Sequence, residues 1–342
     1  MKRGESVEIL AEEDRKSLIR AIQDGVPFAP RPFAELGEAL GLGEQPVIEG
    51  LRELQTEQVL REISAVLEGS ALGYESALVA GSVPDERVEE VAEIINEHPT
   101  VSHNYTRNHA YNLWFTVAVP KQMDLERTLE LLAKETGCIG FHPLRRTHTF
   151  KIGVNFDPDS LRNRTAPQAA SNVQPIHIGE REVRMLRALQ IPLPLVESPF
   201  DELAEHAHVE TDELLAFANE HLGGAIRRYV GTLRHRKLGV RENGMAVWRV
   251  AASDVEVVGE RLASAPEVSH CYARNAIEGF PYTLYSMLHG PTRESCHALA
   301  EGLSRETGVG DYAVLFSERE FKKQRLRYFL PELDRWWSER TA

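Results

Sequence analysis

The stretch VSHNYTRNHAYNLWF, residues 101–115, sets His103, Tyr105 and Arg107 at alternate positions and follows them with His109, Tyr111 and Trp114. Successive side chains of an extended strand point to opposite faces, so His103, Tyr105 and Arg107 share one face. The phrase returns as VSHCYAR, where His270, Tyr272 and Arg274 repeat the pattern. Imidazoles titrate near neutrality and serve as proton donors and acceptors. A lone strand histidine is more often structural, but a His-Tyr-Arg face is poor material for packing on helices. Written twice, it points to a polar cavity between two paired sheets. The copies then diverge: 17 residues separate His103 from Pro120, and 21 separate His270 from Pro291. The longer segment lacks a counterpart of His109 and carries Tyr285 and His289.

A second chemical feature is IRRYVGTLRHRK, which gathers Arg227, Arg228, Arg234, His235, Arg236 and Lys237. The guanidinium fork matches carboxylates and phosphates, and several together suit a polyanionic small molecule. The equivalent stretch of the first copy, LREISAVLEGSA, keeps only Arg61 and aligns Glu68 with Arg234. The competing reading is a solvated face balanced by nearby acids. Metal chemistry has little support, because no carboxylate or cysteine accompanies His103 and His109, and Cys138, Cys271 and Cys296 form no C-x-x-C pair. No G-x-S-x-G, Walker or dinucleotide-binding sequence is present.

The elements that must position these residues form a tandem repeat. RPFAELGEALGL at 31 aligns with SPFDELAEHAHV at 198, VSHNY at 101 with VSHCY at 268, and LAKETGCIG at 132 with LSRETGVGD at 303. The offset stays near 167 residues through most of the chain, so the repeat is a whole domain pair. Each copy opens with three short helices: Leu18, Ile19 and Ile22 form an apolar stripe, Phe33, Leu36 and Leu40 recur at helical spacing, and Pro46 starts the third helix. This is a helix-turn-helix layout. Strands expected at 60–67 and 72–81 would pair as a small wing. Strands and helices then alternate in β-α-β-β-α-β order, the ferredoxin-like pattern. The expected fold class is therefore α+β, a tandem repeat of a winged helix-turn-helix domain and a ferredoxin-like domain. The boundaries are 10–67 and 68–153 for the first copy, 154–180 for a Pro-, Asn- and Ser-rich linker, and 181–238 and 239–323 for the second copy. In the tail, 324–342, Trp336 and Trp337 are expected to clamp the end onto the body.

The 342 residues suffice for two domains of ordinary size, and 42% apolar with 27% charged residues fits a globular protein. No apolar run nears the roughly 20 residues that span a bilayer. The acidic start MKRGESVEILAEEDRK is unlike a signal peptide, and three scattered cysteines fit a reducing compartment. A cytoplasmic, membrane-free protein is expected. The net charge of −13 disfavours adhesion to nucleic acid.

Helix-turn-helix followed by this sandwich resembles the Lrp/AsnC family of transcription regulators, in which sheets of two subunits pair face to face. A tandem chain would supply both members as an internal pseudo-dimer. The chemistry opposes DNA reading. The third helix, 46–57, carries Glu49, Glu53 and Glu57 against Arg52, and its counterpart has Asp212, Glu213 and Glu220 with no Lys or Arg. Such helices repel the phosphate backbone that dominates affinity.

SHNYTRNHAYNLWFT together with IRRYVGTLRHRKLG, VSHCYAR and MLHGPTRESC is similar to the sirohaem (siroheme) decarboxylases, which are Lrp/AsnC-like proteins of the haem d1 and alternative haem pathways. The resemblance spans both repeats and implies loss of two acetate carboxylates from sirohaem, giving 12,18-didecarboxysirohaem and carbon dioxide, in denitrifiers on the way to haem d1. It implies a fused two-subunit chain, with other d1 haem pathway enzymes as partners and a homodimer of chains left open. The basic cluster would anchor the eight carboxylates of the macrocycle, with Tyr and Trp faces on the ring. His103 and His109 are the expected acid/base pair, with His270, His289 or His235 as alternatives. No external cofactor is implied, since the ring itself takes up the electrons and the iron belongs to the substrate. The weakly basic LREISAVLEGSALGY departs from the family and favours one active cavity per chain. Two other classes remain as alternatives, a ligand-responsive DNA-binding regulator and a sirohaem carrier.

Overall fold

The computed structural model describes residues 10–153, 155, 157–160, 162–167, 173–234 and 242–342. The first copy forms α1 (Glu12–Asp24), α2 (Pro32–Leu40), α3 (Glu44–Thr56), β1 (Leu60–Leu67), β2 (Tyr74–Gly81), α4 (Val88–Asn96), β3 (His103–Arg107), β4 (Leu113–Pro120), α5 (Leu125–Thr136) and β5 (Phe141–Ile152). The second forms α6 (Glu180–Leu189), α7 (Pro199–Ala207), α8 (Thr211–His221), β6 (Ile226–Leu233), β7 (Glu242–Trp248), α9 (Val255–Ser264), β8 (Val268–Arg274), β9 (Leu284–Gly290), α10 (Arg293–Thr307) and β10 (Tyr312–Lys323), with α11 (Pro331–Thr341) as the tail. The fold is α+β, and its two compact units cut across the repeat. One holds the described residues of 1–68, 155–161 and 174–239, the other those of 69–154, 162–173 and 240–342.

The helical unit joins both helix-turn-helix segments. Pro32 and Pro199 start α2 and α7 at the position where their missing N–H costs nothing, and Gly41 and His208 end these helices in the left-handed region. Phe28 of the first copy packs on Phe200 and Tyr229 of the second at centroid distances of 5.7 and 4.7 Å. The wing expected from 60–67 and 72–81 does not form. Instead β1 pairs antiparallel with β6 of the other copy, from Leu60 opposite Leu233 to Leu67 opposite Ile226. The physical reason is that β2 is paired on both edges, with β4 and β5 of its own copy, and has no edge left for β1.

In the second unit the eight remaining strands close into a barrel in the order β10-β3-β4-β2-β5-β8-β9-β7. The two four-stranded sheets are thus joined edge to edge. The first half of β5 pairs with β2 of its own copy, and its second half, from Arg146 opposite Arg274 to Ile152 opposite His270, pairs with β8. In the same way β10 pairs first with β7 and then with β3, from Ser317 opposite Arg107 to Lys323 opposite His103. Bulges in both crossing segments turn the strands through the corner. Phe150 in β5 thereby enters the apolar core beneath α9, where a side chain on Gly259 would meet its ring at 2.3 Å. Each crossing strand also carries a lysine across: Lys151 Nζ donates to Ala265 O at 2.9 Å, just beyond α9, and Lys322 Nζ donates to Asn96 O at 2.7 Å, the last residue of α4. A cation there complements the carbonyl end of a helix.

One end of the barrel interior is packed solid by Ala80, Trp114, Leu144, Met245, Val247, Phe280, Tyr285 and Leu315. The tail docks on the same unit, with Trp336 buried against His98 at 4.3 Å and Trp337 half-buried. Among the described residues, no helix is long and apolar enough to cross a membrane.

Candidate functional site

Strand alternation decides which side chains reach the barrel interior. Asn104 turns outward and donates to Ala92 O of α4, and Cys271 and Ala273 lie in the outer core, so His103, Tyr105, Arg107, His270, Tyr272 and Arg274 all turn inward. At the end away from the packed core the interior opens into a cavity of about 300 Å³. Its polar lining includes Ser102, His103, Thr116, Arg146, Tyr272 and Arg274, and its apolar lining includes Leu78, Val117, Ile152 and Leu326.

Each inward histidine is held by the serine that precedes it. Ser102 Oγ lies 3.0 Å from His103 Nδ1 and 2.7 Å from Thr116 Oγ1, which also accepts from the His103 backbone N–H at 3.2 Å. Ser269 Oγ lies 2.8 Å from His270 Nδ1 and 2.6 Å from His289 Nε2. Fixing Nδ1 fixes the ring orientation, and Nε2 is then the nitrogen on the opposite side.

The cavity is cationic. Arg274 donates to Leu144 O at 2.7 Å, and its guanidinium lies over the rings of Tyr272 and Tyr285 at 5.3 and 5.6 Å. No described Asp or Glu pairs with it. Burial first, and the nearby Arg146 in addition, lower its pKa. Arg146 lies 5.9 Å from the Tyr272 ring on the facing strand. Arg146 and Arg274 thus line one cavity, a composition suited to an anionic ligand. Arg107, the counterpart of Arg274, is 6% exposed, donates to Leu315 O at 3.1 Å, and is lowered to about 10 by burial. It holds a strand rather than facing the cavity.

His103 and His109 are not brought together. His109 lies past the far end of β3, where Nδ1 accepts from the Tyr111 N–H at 3.0 Å and the ring meets Phe280 edge-on at 5.0 Å. Burial lowers its pKa. The extended strand separates the two imidazoles, and only His103 reaches the cavity. Tyr111 donates from its hydroxyl to Glu278 O at 2.8 Å. Trp114 is fully buried in the packed end and donates to Tyr111 O, and Tyr285 is 3% exposed, so neither presents a ring face to the cavity. Tyr105 is inward and half-buried, with its ring 6.0 Å from His103.

The basic cluster belongs to the helical unit. Arg227 pairs with buried Glu68, the residue that repeat alignment sets against Arg234, and that ion pair neutralises it. Arg228 is half-buried and Arg234 is exposed. His235, Arg236 and Lys237 lie outside the described residues. Sequence reading missed Arg146, Ser102, Thr116 and Ser269. The signal for Arg146 was the adjacent pair Arg145–Arg146: on a strand one of them must face inward, and Arg145 is taken by Glu75 and Glu126 outside. No group of three or more His, Cys, Asp or Glu that would hold a metal occurs among the described residues.

The model of the AsnC-like ligand binding domain matches residues 71–151 and 237–322, and that of the siroheme decarboxylase NirDL-like HTH domain matches residues 15–61. A siroheme decarboxylase of Hydrogenobacter thermophilus is 38% identical over 94% of this chain and 97% of its own length. The chain belongs to the siroheme decarboxylase family. A siroheme decarboxylase beta subunit of Methanosarcina barkeri is 38% identical over 43% of this chain and 97% of itself, so one copy of the tandem spans a whole subunit of that relative. The crystal structure of the siroheme decarboxylase NirDL in complex with an iron-uroporphyrin III analogue superposes with a TM-score of 0.78 at 33% identity, covering 96% of this chain and 98% of that one. Glu49 in α3, Glu57 at its C-terminal end, and Asp212 and Glu220 in α8 are exposed, an unfavourable surface for a DNA backbone.

Proposed function

We propose that the chain decarboxylates sirohaem at the barrel cavity, as a carbon–carbon lyase that converts two acetate arms to methyl groups and yields 12,18-didecarboxysirohaem. The observation that carries this reading is the convergence of His103 with Arg146 and Arg274 on one cavity that Leu78, Ile152 and Leu326 also line. A volume of about 300 Å³ admits an edge of a tetrapyrrole rather than the whole ring. Arg146 and Arg274 bind carboxylates on that edge, and the Tyr272 ring packs beside them. The leaving carboxylate faces Leu78, Ile152 and Leu326, where nothing stabilises its charge, so the loss of that charge toward the transition state is favoured. The C–C bond pair moves into the macrocycle, carbon dioxide leaves, and a proton from His103 Nε2 completes the methyl group. Ser102 holds the ring for that transfer.

The macrocycle is its own electron sink, so the reaction needs no added cofactor. The reading places the protein in the cytoplasm beside other enzymes of haem d1 or alternative haem synthesis. Sirohaem supplied anaerobically is expected to return two carboxyl groups lighter by mass spectrometry. Sirohaem recovered unchanged from folded protein refutes the decarboxylase reading and favours a carrier.

A further inference from the structure

The two halves of the barrel are related by the repeat, and strand register pairs their interior positions one to one. His103 lies opposite Thr116, and Thr116 opposite Leu78. In the second half His270 lies opposite Met287, and Met287 opposite Met245. Across the crossing strands, Arg274 lies opposite Arg146 whereas Arg107 lies opposite Ser317. The position that is Thr116 in the open half is therefore Met287 in the other, Leu78 corresponds to Met245, and Arg146 corresponds to Ser317. Both halves keep the histidine, the tyrosine and one arginine. The second half sets two methionines where the open half has Thr116 and Leu78, and it has Ser317 in place of the second guanidinium.

The packing agrees with this register. Met245 is 5% exposed within the packed interior cluster, and Met287 packs against the same cluster. The open cavity is lined from β2, β3, β4, β5 and β8 and includes no residue of β7, β9 or β10. Methionine is the flexible side chain that fills irregular space of this kind.

We propose that Met287, with Met245 behind it, fills a twin of the substrate pocket, and that Met287 and Ser317 together make the chain accept one carboxylated tetrapyrrole edge instead of two. The proposal rests on the reading of the open cavity as the sirohaem site. Emptying the twin and supplying its missing cation restores the composition of the open half, and filling the open half with methionine closes it.

The test is titration of the whole chain with iron uroporphyrin III, read by macrocycle absorbance. The native chain is expected to saturate at one equivalent, and the double variant Met287→Thr, Ser317→Arg at two. Thr116→Met, with an unchanged circular dichroism spectrum, is expected to weaken the native site at least about tenfold. Met287→Thr alone is expected to leave turnover within about twofold, because Met287 is not among the residues that line the open cavity. Two equivalents on the native chain overturn the proposal, as does a folded double variant that still takes one. If the double variant does not fold, Thr116→Met decides, and undiminished binding there also overturns it. A native chain that takes no macrocycle refutes the cavity assignment itself.

Discussion

Ser102→Ala removes one oxygen and isolates the role of the hydroxyl that positions His103. Ser102 is 5% exposed, and its Oγ serves both His103 Nδ1 and Thr116 Oγ1. A hydrogen bond of this type contributes about 0.5–1.5 kcal/mol net, and leaving a buried partner unsatisfied costs about 1–3 kcal/mol. A loss of about 1–2 kcal/mol expressed in the transition state lowers kcat roughly 5- to 30-fold, at about 1.36 kcal/mol per decade. The KM is expected to stay near its native value, because Arg146 and Arg274, which grip the carboxylates, are untouched. The assay is single-turnover decarboxylation under anaerobic conditions, with products resolved by mass. In parallel, nitrogen-15 NMR of labelled histidine reports the His103 tautomer in the resting protein. Ser102→Thr retains the hydroxyl and is expected to recover most of the rate. Unchanged kcat in a folded Ser102→Ala protein, or a defect that Ser102→Thr fails to relieve, refutes the reasoning.

Arg146→Met removes one of the two cavity guanidiniums; a lost charge-assisted bond of about 1.5–3 kcal/mol raises the macrocycle Kd roughly 10- to 150-fold, measurable by absorbance titration. His109→Ala is expected to change kcat less than about threefold, while His103→Ala lowers it by about 10²–10⁴, because only His103 reaches the cavity. His98 is held neutral: burial first, then Lys322 and Arg340, lower its pKa to about 3. Below about pH 6.5 the unfolded chain takes up a proton that the folded one refuses, so this contribution is complete above that pH and falls as the pH drops toward 3. His98→Asn is expected to flatten the decline of stability between pH 7 and 5 in urea titrations, and an unaltered slope counts against it. A gel-shift experiment at low salt is expected to show no retarded duplex DNA, given the acidic exposed residues of α3 and α8.

Period-two alternation was enough to place His103, Tyr105 and Arg107 on one face, and the two-copy pattern was enough to pair them with His270, Tyr272 and Arg274. Local pattern carries no information about which strand lies opposite. That is why β1 looked like half of a wing, although its partner β6 lies in the other copy. Nearness in sequence also misled. His103 and His109 are six positions apart, but an extended chain rises about 3.3 Å per residue, so the strand that aligns His103 with the cavity carries His109 away from it. Arg227 has a composition suited to anion binding, yet Glu68 meets it in the fold. Arg146 was overlooked because its value depends on Arg274 across a strand pairing between copies.

The crossing strands have a consequence for synthesis. When the first copy leaves the ribosome, β3 has only β4 beside it and the second half of β5 has no strand beside it, since their remaining partners are β10 and β8. The partner of β3 is complete only roughly two hundred residues later, which at about 5–20 residues per second is a wait of roughly 10–40 s. The wait of β5 for β8 is shorter, roughly 6–24 s at the same rate, and open edges on this timescale invite pairing with a neighbouring chain. Their sequences, HNYTR and RTHTFK, are short, polar and charged, the composition that discourages such pairing. The polar residues that later face the barrel interior thus also protect the half-made protein while it waits.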